Sequence, residues 1–171
     1  MNIFLVGPMG AGKTTVGREL ARRLKRHFYD SDREIETQSG VDIATIFEFE
    51  GEQGFRDREA AMIDKLTQLN DIILATGGGA VLRAENRVHL CGRGHVIFLD
   101  ISLKEQMRRT NKDKKRPLLQ TEDRYKTLQK LRQERLPIYQ KMADFQVQTG
   151  QGNMRHVLQK VLHHCEQHHV C

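Results

Sequence analysis

A three-layer α/β fold around a parallel sheet follows from three observations. Short apolar runs alternate with amphipathic stretches along the whole chain, a GxxxxGK[ST] sequence stands directly behind the first run, and no internal repeat or low-complexity linker divides the chain. Strands that alternate with helices must cross over and therefore pair in parallel. Strands are expected at Ile3–Val6, Phe28–Asp30, Ile72–Thr76, Val96–Leu99 and Phe145–Thr149.

The first strand delivers the loop Gly7 to Thr15, GPMGAGKTT. Its glycines let successive backbone N–H groups face inward as a nest, and the helix that starts at once points its positive end at the same anion. Gly10, Ala11, Gly12, Lys13, Thr14 and Thr15 thus form a cradle for a nucleoside triphosphate. Lys13 reaches the terminal phosphates and the Thr14 hydroxyl is a direct ligand of Mg2+. Val16, Leu20 and Leu24 give this helix its apolar face, and Arg22, Arg23, Lys25 and Arg26 read as a solvated basic end that favours the helix dipole.

Asp30 Ser31 Asp32 follows the second strand, so its carboxylates emerge beside the phosphate loop. One of them suits the water shell of Mg2+ and the other suits an attacking hydroxyl, while an Asx turn with a helix cap would use the same residues structurally. The polar stretch from Ser31 to Arg58 fits the alternation poorly and reads as a substrate-holding region of about residues 31–60; Arg56 within it is suited to clamp a carboxylate or phosphate. Thr76 Gly77 Gly78 Gly79 ends the third strand, where missing side chains let a ligand approach the backbone and Gly78 can offer its N–H. Asp100, after the fourth strand, is a second and lower-ranked candidate for the acidic metal motif. Ser102 with Glu105 opens the next helix as a capping box. The charged stretch from Asn111 to Asp123 reads as a lid over about residues 110–123. Met154, Val157, Leu158, Val161, Leu162 and Cys165 lie at helical spacing behind the cap candidate Asn153. His164 and His168 stand one turn apart there and could bind a transition metal, although an exposed polar helix end is the preferred reading.

Size and charge narrow the field. A chain of 171 residues fits one domain, here taken as 1–171, and can bury about 70% of its unfolded surface. Its net charge of +6 and pI near 9.4 admit polyanions, and a phosphate-handling site needs positive charge in any case. A nucleotide-dependent nucleic-acid binder is the alternative of another class, but no aromatic stacking motif or basic recognition helix supports it. No apolar run approaches a membrane span, no secretion signal opens the chain, and Cys91, Cys165 and Cys171 have no CxxC spacing. A cytoplasmic protein with free thiols is expected, acting as a monomer without nucleic acid or membrane partners.

Taken together, these segments resemble the shikimate kinases, P-loop proteins akin to the nucleoside monophosphate kinases. The resemblance rests on GPMGAGKTT at 7–15, FYDSD at 28–32, GFRDRE at 54–59, ATGGG at 75–79, KRPLL at 115–119 and ERLPIY at 134–139. It implies a five-stranded sheet in the order 2-3-1-4-5 and transfer of the ATP γ-phosphoryl group to the 3-hydroxyl of shikimate. In these terms Asp32 contacts the acceptor hydroxyls and is the candidate base, and Asp30 acts near Mg2+ through water. Arg56 and Arg135 hold the acceptor carboxylate, with Gly78 lending backbone contact. The resemblance makes Arg116 the lid residue that closes on the phosphates, and it lays Arg109 against adenine. The segment Thr149 to Asn153 departs from the family pattern beside adenine, where Arg155 is a candidate to compensate. Gluconate kinase is the nearest rival, since gluconate also carries a carboxylate.

Overall fold

The computed structural model describes residues 1–111, 117–150 and 154–170. Five strands, β1 (Asn2–Val6), β2 (His27–Asp30), β3 (Ile72–Ala75), β4 (Gly94–Ile101) and β5 (Phe145–Thr149), form one sheet in the order β2-β3-β1-β4-β5. Every pairing is parallel, with Leu5 opposite Ala75 on one side and Ile97 on the other. The expected strands and the expected order are all present, with boundaries displaced by two residues at most.

Helices cover both faces: α1 (Lys13–Leu24), α2 (Ser31–Ser39), α3 (Ile43–Thr67), α4 (Ala84–Arg93), α5 (Leu103–Thr110), α6 (Arg124–Met142) and α7 (Met154–Gln167). The pleat sends alternate residues of β1 to opposite faces. Phe4 and Val6 join Leu74, Phe98 and side chains of α3, α4 and α6, whereas Ile3 and Leu5 join Ile73, Ile97 and side chains of α1 and α7. A central strand covered on both sides has to be apolar throughout, which explains its unbroken hydrophobic run.

The polar stretch that broke the alternation is helical. Asp30 caps α2 by accepting from the N–H groups of Asp32 and Arg33, and Asp42 caps α3 by accepting from Thr45 N. Gly51, at φ 71 and ψ 179, breaks α3. Among the lid residues, 117–119 form a short 3-10 turn. Lys112 to Arg116 lie outside the described residues, as do Gln151, Gly152 and the cap candidate Asn153. Ser102 does cap α5, accepting from Glu105 N at 3.2 Å, but the Glu105 carboxylate turns to Arg108 and Arg109.

At the opposite end of the sheet, polar stitching holds the strand starts. The Asn2 amide donates to Leu69 O at 2.6 Å and accepts from Ile72 N at 3.1 Å. Arg22 and Arg23 pair with Glu19 on an exposed face as expected, whereas Arg26 donates to Met1 O and Val170 O and ties the two chain ends together. Among the described residues, no helix is long and apolar enough to cross a membrane.

Candidate active site

The phosphate loop, the β2–α2 junction and the glycine turn converge at the carboxyl ends of the strands, where a doubly wound sheet leaves its crevice. Gly7, Gly10 and Gly12 all have positive φ, and Gly12 caps α1 without any side-chain cap bond. The first-turn N–H groups of α1 are therefore left to an anion, and no acidic side chain stands in that turn to oppose one. Gly7 has a further reason to be glycine, because a Cβ there would lie 2.2 Å from Leu99 O.

Lys13 curls over the loop and donates to Gly7 O at 2.7 Å and Pro8 O at 2.9 Å. Helix α5 braces the loop from behind through Gln106 to Met9 O and Arg109 to Gly10 O, each at 2.9 Å. The Thr14 hydroxyl donates to Asp30 Oδ2 at 2.7 Å. Asp30 consequently does two jobs at once, since its other oxygen caps α2. Lys13, Thr14 and Asp30 line a cavity of about 540 Å3 together with Gly10, Gly12, Thr15, Asp32, Arg109 and Met154. Ala11 is fully buried beneath the loop. Arg155 is exposed beyond Met154.

A second cavity, about 90 Å3, opens beside the first and shares Met9, Asp32, Gly77 and Gly78 with it. Arg56, Glu59, Gly79 and Arg135 complete its polar lining, and Ile43, Phe47, Phe55, Pro117 and Leu118 its apolar wall. Arg56 donates to Glu59 Oε2 at 2.6 Å and lies 3.6 Å from Glu52. Arg56 and Arg135 are 8% and 4% exposed, yet the Nε of each lacks a hydrogen-bond partner, as do Asp32 Oδ1 and Glu59 Oε1. Buried polar atoms left unpaired around a cavity are the complement of a polar ligand.

The glycine run fits this crowding. A Cβ on Gly79 would sit 2.3 Å from Arg56 Nη2, and one on Gly77 would sit 2.9 Å from Glu59 Oε1 and 3.0 Å from Asp32 Oδ1. Ser31 Oγ accepts from Gly77 N at 3.1 Å and ties the turn to α2. Burial, the Glu59 charge and the Asp30 charge push Asp32 up to about 7, against the pull of Lys13 and Arg56. Burial also raises Glu59, although Arg56 opposes the shift.

Lys13, Thr14, Asp30, Asp32, Arg56, Gly78, Arg109 and Arg135 are thus brought to the two cavities, and Arg116 lies outside the described residues. Asp100 is not among them. It pairs with Arg132 at 2.8 Å and accepts from Ile101 N, a structural role. The sequence motifs assign no role to Ser31, Glu59 or Tyr139; the i,i+3 spacing of Arg56 and Glu59 was the available signal for that pair. His164 is not simply an exposed helix end: it stacks on Phe145 at 3.9 Å and meets His95 Nε2 at 2.9 Å. Even so, no group of three or more His, Cys, Asp or Glu side chains among the described residues is placed to hold a metal.

Comparison with known proteins agrees with this geometry. A shikimate kinase family model matches residues 9–166. The chain is 55% identical over 161 residues to the shikimate kinase of Methylococcus capsulatus, covering 94% of this chain and 90% of that protein. It is 49% identical over 167 residues to that of Vibrio cholerae, covering 98% and 96%. Among solved structures, the shikimate kinase from Acinetobacter baumannii in complex with shikimate superimposes with a TM-score of 0.95 at 48% identity, over 98% of this chain and 93% of that one.

Proposed function

We propose, from the premise that the chain belongs to the shikimate kinase family, that it transfers the γ-phosphoryl group of ATP to the 3-hydroxyl of shikimate, giving shikimate 3-phosphate and ADP. The observation that carries this reading is the pair of cavities that share Asp32, Gly77 and Gly78. One has the size and phosphate loop of a nucleotide site; the other presents two buried arginines to a small anionic acceptor.

Residues 1–171 act as one catalytic unit in this reading, with about 31–60 holding the acceptor. Arg56 and Arg135 clamp its carboxylate with fork-shaped donors, Gly78 contributes its backbone, and Asp32 aligns the attacking hydroxyl and accepts its proton. A carboxylate raised to about 7 is matched to proton transfer near neutral pH. Gly10, Ala11, Gly12, Thr14 and Thr15 cradle the phosphates, and Arg109 lies against adenine. Lys13 leaves Gly7 O and Pro8 O for the terminal phosphates and stabilises charge on the peripheral oxygens of a loose transition state. Arg116 adds a second positive charge there.

The Thr14 hydroxyl and the Asp30 carboxylate, 2.7 Å apart beside Lys13, are hard oxygen donors of the kind that suit Mg2+. Thr14 would hold the ion directly and Asp30 through water, and when bound it neutralises charge on the β- and γ-phosphate oxygens.

The test is a coupled ADP-release assay with Mg-ATP across shikimate, gluconate and nucleoside monophosphates. Shikimate is expected to give the highest kcat/KM. A higher value for any other acceptor would overturn the assignment.

A further inference from the structure

Helix α6 brings two side chains to the glycine turn from one face, four residues apart. Arg135 Nη1 lies 3.5 Å from where a Gly78 Cβ would stand. Tyr139 donates its phenol to the Gly78 carbonyl at 2.5 Å. The phosphoryl transfer proposed for the site makes no use of that hydroxyl.

Three observations give it a task. Tyr139 is 2% exposed and its ring stacks on Phe98 at 5.0 Å and 21°, so the ring is held independently of the hydroxyl. The remaining bonds on the turn run from Gly77 N to Ser31 Oγ, from Ala80 N to Gly77 O and from Leu82 N to Gly79 O. They hold the peptide planes on either side of the one joining Gly78 to Gly79, and among the described residues that plane is held by Tyr139. A run of glycines has the widest backbone freedom of any sequence, so it keeps one conformation only when anchored from outside. Planarity then transmits the anchor: the carbonyl of Gly78 and the N–H of Gly79 point in opposite directions across one trans peptide. Fixing the carbonyl toward α6 fixes the N–H away from it.

We propose that Tyr139 is a positioning residue, which holds the Gly78–Gly79 peptide in the orientation that lets the smaller cavity bind its acceptor. This rests on reading that cavity as the acceptor site. Tyr139 touches neither substrate; it acts through the backbone wall, and it sets that wall against Arg135 because both project from α6.

Tyr139→Phe keeps the ring and its stack and removes only the hydroxyl. The acceptor KM is expected to rise about five- to tenfold, the scale of one hydrogen bond, while the KM for ATP stays within about twofold. Phe98→Leu is the control for a merely structural role, because it loosens the stack and leaves the hydroxyl; it should lower Tm with the acceptor KM within about twofold of wild type. An unchanged acceptor KM in Tyr139→Phe, or an equal rise in Phe98→Leu, would overturn the proposal. Wild-type enzyme is measured alongside. Poor use of shikimate by the wild type would sink the reaction assignment instead, and the two variants would then be compared on the acceptor that the wild type does use.

Discussion

Asp32 sits where charge is costly, and that cost has a measurable sign. Native Asp32 keeps its proton up to about 7, whereas an unfolded aspartate releases it at ~3.9. Between those values the folded chain binds more protons than the unfolded one, so the Asp32 contribution to stability falls as pH rises through that window. Asp32→Asn should therefore raise Tm at pH 8 by a few degrees, read by thermal melting, while turnover collapses. In the wild type, kcat/KM should climb with pH through about 7 as Asp32, the proposed base, ionises. Lys13→Ala is expected to cut kcat by about 10²–10³-fold in the ADP-release assay, the usual scale for one preorganised electrostatic partner. Arg56→Ala should act on the other substrate, raising the acceptor KM at least about tenfold with little change for ATP, since hydrogen bonds to charged groups reach about 1.5–3 kcal/mol. An unaltered acceptor KM would remove Arg56 from the clamp. These residues were legible in the sequence because each stands at a fixed offset from a glycine or a strand end. Glu59 was not, because its importance comes from being 1% exposed against Arg56, and burial is a property of the assembled fold.

At the scale of elements, α3 carries the most informative irregularity. Gly51 has φ 71 and ψ 179, and a Cβ placed on it would meet nothing within 4 Å, so only backbone conformation opposes a side chain there. Gly51→Ala should cost about 1–3 kcal/mol in a denaturant melt, the range for holding such strain. A neutral result would mean that the break between the two halves of α3 relaxes freely. β1, β3 and the middle of β4 were readable from apolar runs, since burial on both faces leaves those runs no polar position, whereas the outer strands β2 and β5 keep polar, partly exposed positions between their apolar ones. Helix α2 was read only as the structural alternative for Asp30 to Asp32 and the first half of α3 escaped notice, because their polar faces obscure the 3.6-residue rhythm and their starts rest on Asp30 and Asp42, which also read as turn formers. Asp30 shows why the two readings of a motif need not compete: one oxygen caps a helix while the other meets Thr14.

Across the whole molecule, anchorage and chemistry occupy opposite ends of one sheet. Asn2 stitches the strand starts to Leu69 and Ile72, while the carboxyl ends carry the cavities. Asn2→Ala leaves the buried Ile72 N–H unpaired, which costs about 1–3 kcal/mol; a lower Tm with both KM values unchanged is the expected outcome of melting and steady-state kinetics. The order of the sheet was available only through resemblance, since local sequence fixes that strands are parallel but not which one neighbours which. The wall of Asp32, Gly77 and Gly78 that separates the two cavities belongs to both. Anything that shifts it on one side alters the binding free energy on the other, and thermodynamic linkage makes the exchange symmetrical. By whatever factor ATP changes the dissociation constant of the acceptor, the acceptor must change that of ATP by the same factor, so two independent titrations have to close a single cycle.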